Sequence, residues 1–172
     1  MNVLGVIIAG GASRRFGRDK ADVAWDGHTL FERTVAAVGP QVAELVIAGR
    51  DHGDLLRLAD RPAGVGPLGG LSAGLFHAVA AGHAAVLCVP LDVHPLPLDL
   101  RLRLGGEGPA VFDDQHMIGW WPADLAGQLD AFLAAGGRAF HDWIDQAGAR
   151  RVPDPPGLIN VNTPDDLARL RR

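Results

Sequence analysis

Three short apolar runs recur along this chain: VLGVII (Val3–Ile8), ELVIA (Glu44–Ala48) and AAVLCV (Ala84–Val89). Each gives way at its carboxyl end to glycine or proline within three residues. Runs that are apolar at nearly every position have both faces buried, as strands do when helices cover both sides of a parallel sheet. Between them lie stretches with apolar residues at helical spacing, such as Leu30, Phe31, Val35 and Val38. Strands alternating with helices restrict the chain to an α/β three-layer sandwich with a mostly parallel sheet. Ligands of such sheets bind beyond the carboxyl ends of the strands, which directs attention to loops 9–20, 61–66 and 90–97.

The remaining elements follow from local signals. Helices are expected over Thr29–Val38, with Thr29 as cap, over Asp54–Leu58, and over Leu68–Ala81, ending at Gly82. Pro90–Pro97 reads as loop and Leu98–Leu104 as a short helix. Strands are expected at Ala110–Asp113 and His116–Trp121, and helices at Pro122–Ala135, with Pro122 in the first turn, and Arg138–Gln146. Arg150–Val152 and Leu158–Val161 read as extended. A last helix, Thr163–Leu170, carries Thr163 as cap, Pro164 at its first position and Asp165 and Asp166 at its positive end.

A length of 172 residues suits one domain, and the 23 glycines and 12 prolines are scattered rather than gathered into a linker. The net charge of −4, without a basic stripe, argues against a nucleic-acid partner. Cys88 is the only cysteine, so an internal disulfide or a cysteine zinc site is impossible. The first residues lack a basic leader, and their apolar run is too short to span a bilayer. A cytoplasmic protein with no membrane partner is expected. No HExxH or GxSxG motif occurs, which argues against zinc and serine hydrolases.

The segment AGGASRRFGRDK (Ala9–Lys20) concentrates glycine and positive charge. It fits neither a Walker A loop, being one residue too long between Gly11 and Gly17, nor a G-x-G-x-x-G fingerprint. Its chemistry is nevertheless that of an anion cradle: glycines let backbone N–H groups approach, and Arg14, Arg15, Arg18 and Lys20 supply charge. Of the 16 basic residues only Lys20 is lysine. A compact ammonium can meet a phosphate where a broad guanidinium cannot fit. Asp92 follows the most apolar run of the chain, where a carboxylate would find Mg²⁺ and phosphates. His94, two residues on, is expected to face solvent. Trp120, Trp121 and Trp143 are either core packing or stacking surfaces for a heterocycle.

Taken whole, LGVIIAGGASRRFGRDKADVAWDGHTLFERTV resembles the signature of the molybdenum cofactor guanylyltransferase family: A-G-G, a small residue near Ser13, R-x-G-x-D-K, then G-x-x-L opening a helix. Three further blocks fit in order. They are Asp60 with Gly66-Pro67-Leu68-Gly69-Gly70-Leu71, then Val86–Asp92, then Asn160-Val161-Asn162-Thr163-Pro164-Asp165-Asp166-Leu167. The match is thin between Glu107 and Arg151, and His94 stands where the family usually has proline.

This resemblance implies a Rossmann-like fold of the nucleotide-diphospho-sugar transferase type, as one nucleotidyltransferase domain over 1–172. Residues 1–100 would hold the nucleotide and 101–172 the acceptor. It implies transfer of GMP from GTP to the molybdenum cofactor, with Mg²⁺ as cofactor and delivery proteins as an expected class of partner. Gly10, in place of the alanine of cytidylyl-transferring members, points to guanine. Cytidylyl or other nucleotidyl transfer, or nucleotide binding without catalysis, are the alternatives. The implied catalytic residues are Lys20, Arg14 and Asp92, with Asp92 also holding the metal. Ile8, Ala9, Gly10, Gly11, Ala12, Ser13, Arg15, Lys20, Asp60, Gly66, Leu68 and Gly69 would bind nucleotide. Asp60 would hold a sugar hydroxyl or the water shell of the metal. Asn160 and Asn162 would present amides to a phosphate or to the acceptor, and are assigned to acceptor binding.

Overall fold

β1 (Val3–Ile8) is buried at all six positions, and the chain is built outward from it. The computed structural model describes residues 1–10 and 19–170. After β1 come a 3-10 turn at Lys20–Asp22, the small hairpin β2 (Ala24–Trp25) and β3 (His28–Thr29), and helix α1 (Leu30–Val38). Thr29 and Glu32 cap α1 reciprocally, each side chain accepting from the other residue's backbone N–H. β4 (Glu44–Ala48), β5 (Leu56–Leu58), α2 (Pro67–Ala81), β6 (Ala85–Pro90) and β7 (Val93–His94) follow. The last third holds α3 (Leu100–Leu104), β8 (Ala110–Phe112), β9 (Gly119–Pro122), α4 (Ala126–Ala134), α5 (Phe140–Ala147), β10 (Arg150–Val152), β11 (Ile159–Asn160) and α6 (Pro164–Arg169).

Seven strands form one sheet in the order β10-β8-β9-β6-β1-β4-β5. β1 pairs in parallel with β4 and β6, and β4 with β5. Among the described strands of this sheet only β9 runs against its neighbours, β6 and β8. This is the expected α/β sandwich. Strand alternation sorts β1 onto two cores. Leu4, Val6 and Ile8 pack with α2, α4 and α5, while Val3 and Ile7 pack with Ala37, Val38 and Leu100 on the other face. A third, smaller cluster joins Val23 and Leu30 to Val161 and Leu167, fastening α6 to the start of α1.

α2 lies close on the sheet because its inward face is made of small residues. A Cβ on Gly74 would stand 2.6 Å from Val6 Cγ2, inside any tolerable contact. α2 ends at Gly82, and Thr163 with Asp166 caps α6, both as expected. Cys88 is fully buried in β6, and burial pushes its thiol up to about 12. No helix among the described residues is long and apolar enough to cross a membrane.

Several expectations are corrected. Asp54–Leu58 is not helical: Leu56–Leu58 is the edge strand β5, because β4 offers it an open parallel edge. Pro90–Pro97 is not all loop, since Val93 and His94 pair antiparallel with β11. Residues 115–118 turn before β9 begins at Gly119, and Pro122 ends that strand rather than lying inside a helix. His94 is buried, with 1% of its surface exposed. Trp120, Trp121 and Trp143 are core residues, so none presents a face for stacking on a ligand.

Candidate functional site

Because β1, β4 and β6 are mutually aligned in parallel through β1, their carboxyl ends reach the same edge. The segments that leave them, Ala9-Gly10, Gly49-Arg50 and Leu91-Asp92, meet there at a cleft of about 360 Å³. Gly49 makes the meeting possible. Its φ of +98° suits glycine, and a Cβ there would lie 2.9 Å from the Gly10 nitrogen. Ala9 N–H extends the ladder by donating to Ala48 C=O at 3.0 Å.

Lys20 opens the 3-10 turn that follows the glycine-rich segment. Asp19 caps the turn: its carboxylate accepts from Ala21 N–H at 2.8 Å and from the Arg50 guanidinium. Burial alone would raise the Asp19 pKa, but the Ala21 and Arg50 hydrogen bonds outweigh it and hold the carboxyl below its ordinary range. The half-buried Lys20 ammonium donates to Asp92 Oδ2 at 3.1 Å and to Asn162 Oδ1 at 2.6 Å. Three segments far apart in sequence therefore converge on one cation.

Asp92 is fixed from both sides. Its C=O accepts from Val161 N–H at 2.6 Å, and the preceding Leu91 C=O is within 3.0 Å of His94 Nε2. Burial pushes the His94 pKa below the usual histidine range, so the neutral ring carries its proton on Nε2 and donates it to Leu91. His94 thus braces the turn that carries Asp92. Asn162 is held by its own backbone N–H, which donates to Asp166 Oδ2 at 3.0 Å, an oxygen that also accepts from Thr163.

The far wall is the turn between β8 and β9. Asp114, Gln115, His116 and Met117 line it with Asn160. The Asp154 carboxylate accepts from the Asp114 and Gln115 backbone N–H groups at 3.0 and 3.1 Å, and Gln115 Nε2 donates to Asn160 Oδ1 at 2.6 Å.

Of the residues singled out in the sequence, Ile8, Ala9, Gly10, Lys20, Asp92 and Asn160 line the cleft, and Asn162 reaches it through Lys20. Gly11, Ala12, Ser13, Arg14, Arg15 and Arg18 lie outside the described residues. From the Gly66–Leu71 block Pro67 lines the cleft, whereas the Leu68 side chain is buried in the core. Gly69 sits under Pro62 and Asp60, where a Cβ would stand 2.8 Å from the Pro62 carbonyl oxygen. Asp60 lines a separate concavity with Arg57, Arg61 and α4, and burial raises its pKa.

Sequence reasoning missed Arg50 and Gln115. Arg50 follows a strand whose carboxyl end was already marked by fold class. Its Nε is buried without a hydrogen-bond partner among the described residues. Gln115 gives no local signal, since only the antiparallel course of β9 brings its turn to the cleft.

The model of the MobA-like NTP transferase domain family matches residues 5–148. Curated relatives named molybdenum cofactor guanylyltransferase include proteins of Cereibacter sphaeroides, 38% identical over 98% of this chain and 95% of theirs, and Rhodobacter capsulatus, 37% identical over the same shares. Among solved structures, molybdopterin-guanine dinucleotide biosynthesis protein A from Archaeoglobus fulgidus aligns with a TM-score of 0.73 at 21% identity, over 97% of this chain and 96% of its own. The 2-C-methyl-D-erythritol 4-phosphate cytidylyltransferase of Thermus thermophilus aligns with a TM-score of 0.71 at 18% identity, over 95% and 94%. These two share the fold.

Proposed function

This chain belongs to the MobA-like NTP transferase family, and from that premise we propose that it transfers GMP from GTP to the molybdenum cofactor, releasing pyrophosphate. The observation that carries the reading is the Lys20 ammonium, set between Asp92 and Asn162 where three strand ends converge. The guanylyl-transferring relatives, 38% identical over nearly the whole chain, favour GTP over CTP.

The acceptor's phosphate oxygen attacks the α-phosphorus of GTP, that bond forms as the bond to the leaving pyrophosphate breaks, and GMP is joined to the acceptor. The attacking oxygen is already anionic near neutral pH, so no general base is needed. The obstacle is repulsion between two polyanions, and catalysis rests on alignment and charge neutralisation. Lys20 supplies one cation on the lining of the cleft. Arg50, held by Asp19, supplies another.

Asp92 suits Mg²⁺. No group of three or more metal-ligating side chains exists among the described residues, but magnesium uses one or two carboxylates and fills its other positions with water and substrate phosphates. Asp92 is a half-buried carboxylate facing the cleft with one oxygen on Lys20. When bound, the ion would neutralise charge on the phosphates. His94 and Val161 keep the Asp92 turn in place for it.

Mixing the protein with GTP, Mg²⁺ and purified molybdenum cofactor, and following pyrophosphate, tests the reading. Release that needs both substrates and falls by at least ~10²-fold in Asp92→Ala is expected. Asp92→Ala turning over at the wild-type rate, or binding of GTP without any release by the wild type, would overturn it.

A further inference from the structure

The cleft wall formed by the turn between β8 and β9 carries a side-chain pair that charge neutralisation leaves without a role. In the bond from Gln115 Nε2 to Asn160 Oδ1, each amide uses one of its two faces. The Gln115 Oε1 acceptor and the Asn160 Nδ2 donor take no part in that bond, and both residues line the cleft. With both amides turned over, the same complement of one donor and one acceptor would remain.

Backbone contacts hold the chain on both sides of the pair. The Asp154 carboxylate holds the backbone of Asp114 and Gln115, and Ile118 N–H closes the turn onto Gln115 C=O at 2.8 Å. Asn160 pairs in register with Val93, the residue after Asp92. Sheet order then fixes which side of the reaction the pair serves. β1 and β4 lie on one side of β6, and β9 and β8 on the other. Ala9 and Gly10 follow β1, whereas the Gln115 turn joins β8 to β9, and Asp92 follows β6, which lies between β1 and β9 in the sheet.

We propose that Gln115, paired with Asn160, determines acceptor specificity by reading the 2-amino-4-oxopyrimidine edge of the acceptor's pterin. The ring N3–H donates to Gln115 Oε1, and the 4-oxo group accepts from Asn160 Nδ2. A donor and an acceptor together suit a planar amide-like edge, whereas an ionised phosphate offers acceptors only. The inference rests on the transfer reading above. Guanine presents the same edge, and the position of the pair beyond Asp92, away from β1, assigns it to the acceptor.

The test is steady-state pyrophosphate release by the full chain and its Gln115→Leu and Gln115→Ala variants, varying cofactor and GTP in turn. Both variants are expected to raise KM for the molybdenum cofactor by ~10-fold, with kcat and KM for GTP within about twofold of wild type. A rise in KM for GTP instead would show that the pair reads guanine and would overturn the assignment. Unchanged KM for both substrates would overturn it too. Wild-type protein that releases no pyrophosphate with both substrates present would bring down the transfer reading itself, and the subsite with it.

Discussion

The Lys20 ammonium donates to the Asn162 side-chain oxygen at 2.6 Å while also contacting Asp92, although 142 positions separate Lys20 from Asn162 in sequence. A small tetrahedral cation can meet two acceptors that a planar guanidinium, longer and forked, cannot meet from the same backbone position. Lys20→Arg should therefore lose at least ~10²-fold in turnover despite keeping its charge. Asn162→Ala, which removes one hydrogen bond to a charged group worth about 1.5–3 kcal/mol, should lose ~10–100-fold. Pyrophosphate-release rates check both, and full activity in Lys20→Arg would refute the argument from geometry.

Gly74 sets how closely α2 approaches β1. Gly74→Ala would gain about 1 kcal/mol of helix propensity, yet its methyl would drive into Val6 Cγ2 at 2.6 Å in a fully buried layer. Overpacking of this kind costs about 1–3 kcal/mol, so a net loss is expected in urea denaturation. Adding Val6→Ala should recover part of it, since the two substitutions share one space. Simple additivity of the two losses would show that the clash is not what limits the site.

Glu44, at the opposite end of β4 from the cleft, bridges two histidines: His83 Nε2 at 2.7 Å and His77 Nε2 at 3.0 Å. The His83 hydrogen bond is the main reason its carboxyl lies below the ordinary 4.5; burial opposes it and His77 adds to it. A carboxyl depressed on folding contributes stability that is full above its unfolded pKa and is lost as pH falls through the lower folded value. Between about pH 5 and about pH 3, the wild type should lose more stability than Glu44→Gln. Equal losses in denaturant midpoint would contradict this.

What could be read from the sequence is what is decided locally. Val3–Ile8, Glu44–Ala48 and the run ending at Val89 are apolar throughout and become the buried strands; Thr29 and Thr163 carry their caps within three residues. Asp92 and Lys20 were found because they follow strand ends or stand alone in residue type. The misses are decided by distant partners. Leu56–Leu58 is a strand only because β4 lies beside it. His94 is buried because Ile159 pairs with it across the chain. Gln115 reaches the cleft only because β9 runs antiparallel to β6.

That long-range construction bears on synthesis. Lys20 leaves the ribosome early, but its partner Asn162 is made only after every strand of the main sheet. When β1, β4 and β6 have been made, the chain still lacks the Asn162 oxygen that meets its single lysine. The cleft is therefore finished late in synthesis, and a chain cut before Asn160 would lack part of its lining.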